Sequence, residues 1–166
     1  MMNSSDNILN YKMKIYSSIK DRLKNQHLVI SELIRTLDDD LINIEPSKGK
    51  WSIKDNIAHI TLYHLKFLDR LKLIKNEKDS YFNSYIPDED PEFIKLRTIS
   101  VQELLNSLNE NRKLLVKYIN NLDDSELEKT ATHQKFGKMN VVQWIEFFLL
   151  HEAHHIYTIF KLSRIK

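Results

Sequence analysis

His151-Glu152-Ala153-His154-His155 places two imidazoles four residues apart near the end of the 166-residue chain. Residues four apart share one face of a helix, so His151 and His155 can chelate a single ion from one side. A third imidazole from a facing helix would complete a tripod. Three neutral ring nitrogens with one open position form the donor set of a catalytic Zn²⁺ site. His59 is the candidate. It lies seven residues after Ser52, while His151 and His155 lie eleven and fifteen after Asn140. Steps of four drift only about 40° around a helix, so the three occupy related faces. The alternative is that these histidines are structural. Burying two imidazoles among Trp144, Phe148 and Ile159 without a partner costs free energy, and coordination supplies such a partner.

The other histidines read differently. His154 points about 100° away from His155 on the helix and is not expected to join the same face. His27 and His133 read as surface or loop residues, with His133 near enough to Phe136 and Gly137 to line a pocket mouth. The string from His151 to His155 also matches His-Glu-x-x-His, in which two histidines hold Zn²⁺ and the glutamate is the general base of a protease. Proteolysis is disfavoured here. No His, Asp, Glu or Cys follows His155 to serve as a downstream ligand, and a helical bundle offers no edge strand to align a peptide. Glu152 remains a candidate carboxylate behind the ligands or a base for water.

Four long helices are needed to position these groups. The apolar residues Ile8, Tyr11, Ile15, Ile19, Leu23, Ile30, Ile34 and Leu37 predict a first helix from about Asp6 to Leu37. Asp38, Asp39 and Asp40 should end it, since carboxylates are unfavourable at a helix C-terminus. A second helix starts at Ser52, where Ser52 and Asp55 resemble a capping box, and runs to about Lys75. Asn76 to Ile99 reads as a long irregular link, with Asp88-Glu89-Asp90 as a solvated acidic stretch. Ser100 and Glu103 form a full capping box at the third helix, and a short helical turn is expected at Asp124 to Glu128. The fourth helix starts at Asn140, with Gln143 three residues on. It is apolar nearly all round and should be the most buried. Gly49-Lys50-Trp51-Ser52-Ile53 and Gly137-Lys138-Met139-Asn140-Val141 echo each other, a similarity that shared capping chemistry explains. Trp51 and Trp144 read as anchors in the core or at helix starts.

Composition supports an all-α four-helix bundle occupying residues 1–166 as a single domain. Two Gly and three Pro are too few for a many-stranded sandwich or a Gly-rich phosphate loop. With no Cys there is no thiolate metal site and no Cys nucleophile. A net charge of +2 gives no support for nucleic-acid binding. No apolar run approaches the ~18–20 residues of a membrane span, and Met1 to Asn10 is too polar for a signal peptide, so the expected compartment is the cytoplasm.

Two separate motifs carry a family resemblance. Gly49-Lys-Trp51-Ser52-Ile-Lys-Asp-Asn-Ile-Ala-His59 resembles the second-helix motif of the DinB-like superfamily, a Trp-Ser pair with a His eight residues after the Trp. Gly137-Lys-Met-Asn140 followed by His151-Glu-Ala-His-His155 resembles that family's closing motif. The likeness covers most of the chain and is nearest the branch of YfiT-like metal-dependent hydrolases and bacillithiol transferases. The resemblance implies an up-up-down-down bundle, commonly a homodimer. It implies a divalent ion (zinc, nickel, iron or manganese) held by His59, His151 and His155, a small-molecule substrate, and a low-molecular-weight thiol such as bacillithiol as cosubstrate. His64, Tyr63 and Glu152 are then candidates for the pocket or for the shell behind the ligands. Two positions depart from the pattern. His64 stands where relatives often carry an acid, and Tyr157 follows the closing pair where a smaller residue is usual. The competing reading is a non-catalytic bundle that binds a metal or another ligand.

Overall fold

The computed structural model describes residues 14–164. The predicted helix start at Asp6, with Ile8 and Tyr11, lies outside them. Four helical columns are present. The first is not one continuous helix. Helix α1 (Ser17–Asn25) passes through a 3₁₀ turn (Gln26–Leu28) into α2 (Val29–Ile34). The acidic run at 38–40 does not merely end it. The Asp38 carboxylate accepts a hydrogen bond from the Leu41 N–H and caps a new short helix, α3 (Asp39–Asn43). Carboxylates favour helix N-termini as strongly as they disfavour C-termini, so the same residues that stop one helix start the next.

The remaining columns are α4 (Ile53–Asn76), α6 (Val101–Asn120) and α8 (Val141–Leu162). Each begins with a reciprocal capping box, Ser52 with Asp55, Ser100 with Glu103, and Asn140 with Gln143. The short helix α7 (Asp124–Glu128) is capped by Asp123 in the same way. Gly49 and Gly137 both have left-handed φ angles, +74° and +75°, just ahead of two of these caps. That explains the sequence echo through turn and cap geometry.

The link between α4 and α6 is better ordered than its sequence suggests. It holds the strand β1 (Tyr81–Phe82), a 3₁₀ turn (Pro87–Glu89) and α5 (Pro91–Leu96). Asp90 is no solvated charge. It caps α5, accepts a hydrogen bond from the Tyr85 hydroxyl at 3.0 Å and pairs with Lys66 at 2.9 Å. A small sheet also departs from the all-helical expectation. β2 (Thr130–His133) and β3 (Gly137–Asn140) form a hairpin, and β1 adds to β2 in parallel. The sheet props the start of α8, where Trp144 donates to the Ala131 carbonyl at 3.4 Å. No helix among the described residues is long and apolar enough to cross a membrane.

The core is divided in two. One apolar cluster gathers Leu23, Phe67, Leu71, Leu115, Trp144 and Phe148, and the other gathers Ile30, Ile57, Phe93, Leu104, Leu108 and Ile159. On each column polar side chains stand where one cluster gives way to the other: Gln26 and His27, His59 and His64, Arg112, and His151, Glu152 and His155. A polar layer therefore crosses the bundle. Burying it forgoes apolar contacts and requires every member to find a partner.

Candidate metal centre

Helices α4 and α8 pack against each other and bring His59, His151 and His155 together. The Nε2 atoms of His59 and His151 lie 3.1 Å apart, and those of His151 and His155 lie 3.3 Å apart. Two donor nitrogens at a tetrahedral ion with bonds of 2.0–2.1 Å would be about 3.3 Å apart, so the spacing fits such a centre. The tautomers fit as well. The His155 Nδ1–H donates to Asn56 Oδ1 at 2.9 Å, which leaves a lone pair on Nε2. Asn56 is itself oriented by donating its amide to the Ser52 carbonyl at 2.8 Å, so the helix cap and the triad share one hydrogen-bonded chain. A single proton on His151 Nε2 can bridge to only one neighbour, whereas one cation satisfies three converging lone pairs.

Electrostatics keeps these rings neutral. Burial and the two neighbouring imidazoles push the His59 pKa down to about 2. Burial first, then His155, lowers His151 to about 3, and burial lowers His155 to about 4. Neutral imidazole is the ligating form. His59 Nδ1 is buried without a hydrogen-bond partner. Its ring is instead held by stacking on Tyr85 at 5.9 Å and by a tilted contact with Trp51 at 5.0 Å. Trp51 also stacks on His155 at 5.9 Å and donates its indole N–H to Asp88 at 3.2 Å. It is thus a wall of the triad as well as a residue ahead of a helix cap.

Two pockets flank the triad. One, of about 490 Å³, is lined by His59, His151, Tyr63, Tyr85, Phe136 and Phe147, together with Arg70, Ser84, Leu150, His154 and the His133–Lys135 turn. The other, of about 410 Å³, touches His155, Asn56 and Trp51. A larger cavity of about 750 Å³ lies between α1 and α6 and contains none of the three histidines.

Comparison with known proteins fits this arrangement. A family model for the DinB superfamily matches residues 23–159, most of the chain and all three histidines. The chain belongs to the DinB superfamily. A Bacillus mycoides protein named "Putative metal-dependent hydrolase" is 24% identical over 126 residues, covering 76% of this chain and 72% of that protein. The Bacillus subtilis protein YuaE, described as uncharacterized, is 26% identical over 140 residues, covering 74% and 83% of the two chains. Among solved structures, YfiT from Bacillus subtilis superposes with a TM-score of 0.76 at 18% identity, covering 89% of this chain and 85% of that one. YfiT is described as a probable metal-dependent hydrolase with an unusual four-helix bundle topology. At that identity the likeness establishes the shared four-helix bundle fold.

For this DinB superfamily chain, the site residues expected from sequence separate into two groups. His59, His151 and His155 converge, and Tyr63 lines the pocket with its ring 4.1 Å from that of His151. His64 and Glu152 face the polar layer inside the bundle. The His64 Nδ1–H donates to the Ile60 carbonyl at 2.7 Å, burial holds its pKa well below the ordinary value, and its Nε2 lies 3.4 Å from Glu152 Oε1. Glu152 is almost fully buried. It accepts hydrogen bonds from Arg112 and, at 2.8 Å, from Gln26. With both carboxylate oxygens engaged inside the bundle, Glu152 is not presented to the pocket as the base of a His-Glu-x-x-His protease. Tyr157 is exposed and packs under Lys161, away from the pocket. His27 and His133 are not surface residues, since both are buried, at 6% and 4% exposure. His27 sits in the polar layer, and His133 ends β2 against Trp144 and Phe147. Sequence reading also passed over Asn56, Arg70, Tyr85 and Arg112. Only Arg70, four residues after Lys66 and seven after Tyr63, left a trace, as a cation on the pocket-facing side of α4.

The Arg112–Glu152 pair carries a stability prediction. Arg112→Met leaves a carboxylate buried without its cation, a change that costs about 3–5 kcal/mol. At about 2–4 °C per kcal/mol for a domain of this size, thermal unfolding should show a fall of roughly 10 °C or more. Adding Glu152→Leu should recover most of it, because Gln26 still donates to the Leu149 carbonyl at 2.9 Å. A single variant that melts within about 1 °C of wild type would contradict the burial argument.

Proposed function

We propose that this protein is a divalent-metal-dependent enzyme acting on small molecules, either a hydrolase or a transferase of a low-molecular-weight thiol. The observation that carries the reading is the convergence of three Nε2 atoms, 3.1 and 3.3 Å apart, beside a 490 Å³ pocket. His59, His151 and His155 would hold the ion, and Asn56 orients His155. A bound divalent ion supplies Lewis acidity, which lowers the pKa of water to about 7 or keeps a thiol deprotonated. The chain has no Cys, so a thiol nucleophile must arrive as a cosubstrate. Tyr63, Tyr85, Phe136 and Phe147 bind the apolar part of a substrate and exclude water from that side of the triad. The names of the relatives favour hydrolysis, and the DinB-like resemblance favours thiol transfer. Imidazole donors suit zinc, nickel and iron alike, so the donor set leaves the ion's identity open.

The test is an activity screen of untagged protein reconstituted with zinc, nickel, iron or manganese. A chromogenic ester probes hydrolysis, and a thiol paired with an electrophilic acceptor probes transfer. Even residues behind the ligands contribute about 10–100-fold, so His155→Ala should lower kcat/KM by at least about a hundredfold. Equal rates for wild type and His155→Ala in both assays would refute the reading.

A further inference from the structure

Among the described residues, the pocket beside the triad is lined by hydrogen-bond donors and cations and by no carboxylate. Its lining includes Arg70, Lys135, His133 and Ser84 but neither Asp nor Glu. Arg70 is half-buried and fixed. Its guanidinium donates to the Tyr63 hydroxyl at 3.1 Å and to the Asn83 carbonyl at 3.2 Å, and it lies over the rings of Phe82, Tyr63 and Trp144. Both of its hydrogen-bond partners are neutral, and among the described residues neither Arg70 nor Lys135 forms an ion pair. A guanidinium held this way has donors to spare for an anion.

His133 adds a donor to the lining. Its Nδ1 accepts the backbone N–H of Lys135 at 3.0 Å, and burial keeps the ring neutral by lowering its pKa. The one remaining ring proton must therefore sit on Nε2. Ser84 contributes a buried hydroxyl with no hydrogen-bond partner, while its backbone N–H is tied to Gln134 at 3.1 Å. The same lining includes Phe136, Phe147, Leu150 and the ring of Tyr85, which supply an apolar wall. Tyr63 joins the two ends of the pocket, since its hydroxyl accepts from Arg70 and its ring packs against His151.

We infer that the substrate of this site is an anionic small molecule. Its carboxylate or similar oxyanion is received by Arg70, with Lys135, His133 and Ser84 at its sides. Its apolar body lies along the aromatic wall, and its reacting end reaches His59 and His151. Oxyanions match a guanidinium through paired, charge-assisted hydrogen bonds, and a neutral group of the same shape leaves the donors unmatched. Arg70 and Lys135 are therefore specificity-determining residues. The assignment of the reacting end rests on the proposed metal site, while the anion preference does not.

The test uses phenylacetate and its neutral isostere phenylacetamide as probes. Binding is followed by NMR titration of the full chain, both chelator-treated and metal-loaded, because NMR reads affinities into the millimolar range. The acid should bind at least about tenfold more tightly than the amide in both forms. Arg70→Gln should erase that preference. Lys135→Gln, at an exposed position that does not endanger folding, should reduce it severalfold, with its melting temperature unchanged. Equal binding of acid and amide, no binding of either, or a preference that survives both substitutions would overturn the inference. The chelator-treated arm separates the two readings, since a protein that takes up no metal can still show or fail to show the anion preference.

Discussion

Loaded with a divalent ion, the protein should melt roughly 10 °C above its chelated form, and His59→Leu should abolish the rise. A ligand that binds only the folded state at about 1,000 times its dissociation constant adds about 4 kcal/mol of stability. At about 2–4 °C per kcal/mol for a domain of this size, that gives the expected shift. The variant has a second signature of opposite sign. In the metal-free protein His59 is a liability, with 2% exposure, no partner for Nδ1 and a pKa pushed down to about 2 by burial and its neighbouring imidazoles. Leucine is similar in size and removes a buried polar group, so metal-free His59→Leu should melt at or above metal-free wild type. Melting curves of both proteins, with chelator and with added metal, give four values whose order is fixed in advance. An equal metal-induced rise in wild type and variant would remove His59 from the site. A variant much less stable than wild type without metal would mean that the ring's contacts with Trp51 and Tyr85 and its hydrogen bond with His151 outweigh its unpaired nitrogen.

What could be read in the sequence was local chemistry repeated on helices. Ser52, Ser100 and Asn140 start α4, α6 and α8 because a capping box needs only four neighbouring residues, and all three are present. The triad was legible for a related reason. Counting from two of those caps places His59, His151 and His155 on related faces, so the structure needed only to press two helices together. Features set by tertiary contact were not legible. The 3₁₀ turn at Gln26–Leu28 breaks an apolar repeat that runs through it unbroken. The sheet is built from strands of two to four residues, too short for a period to register, although Thr130–His133 alternates in burial once its neighbours are known. His27 and His133 are buried by other elements, Arg112 by Glu152 and the Leu23 carbonyl across the bundle. A lone Arg on a helix carries no sign of being inside. The missed residues share one location, the polar layer and the pocket beside it. There the usual rule of apolar residues inside is suspended, and pattern reading has least to work with.

That layer also sets a steep response to acid. Burial lowers the pKa of six histidines, with His59 at about 2, His151 at about 3, His27 and His155 at about 4, and His64 and His133 also displaced downward. In the unfolded chain each returns to about 6.5. Below that pH the unfolded state binds protons that the folded state refuses, so stability is fully present above about pH 6.5 and is lost as pH falls. Each group contributes up to about 1.4 kcal/mol per pH unit, and the loss slackens only near pH 4, where His27 and His155 begin to protonate in place. Glu152 works in the opposite sense, because burial raises its pKa and the folded protein takes up that proton first. One group does not offset six. A domain typically holds about 5–15 kcal/mol in total, so the metal-free protein should unfold cooperatively on acidification between about pH 6 and pH 4. Circular dichroism during acid titration, with denaturant melts at each pH, measures the slope. His59→Leu removes one titrating group and should flatten it, and added metal should move the midpoint to lower pH, because the ion holds three of the rings against protonation. Constant stability from pH 7 down to about pH 4.5 would mean that the folded protein takes up protons on these imidazoles as readily as the unfolded chain does. A site of neutral nitrogens prepared for a cation would then have no basis.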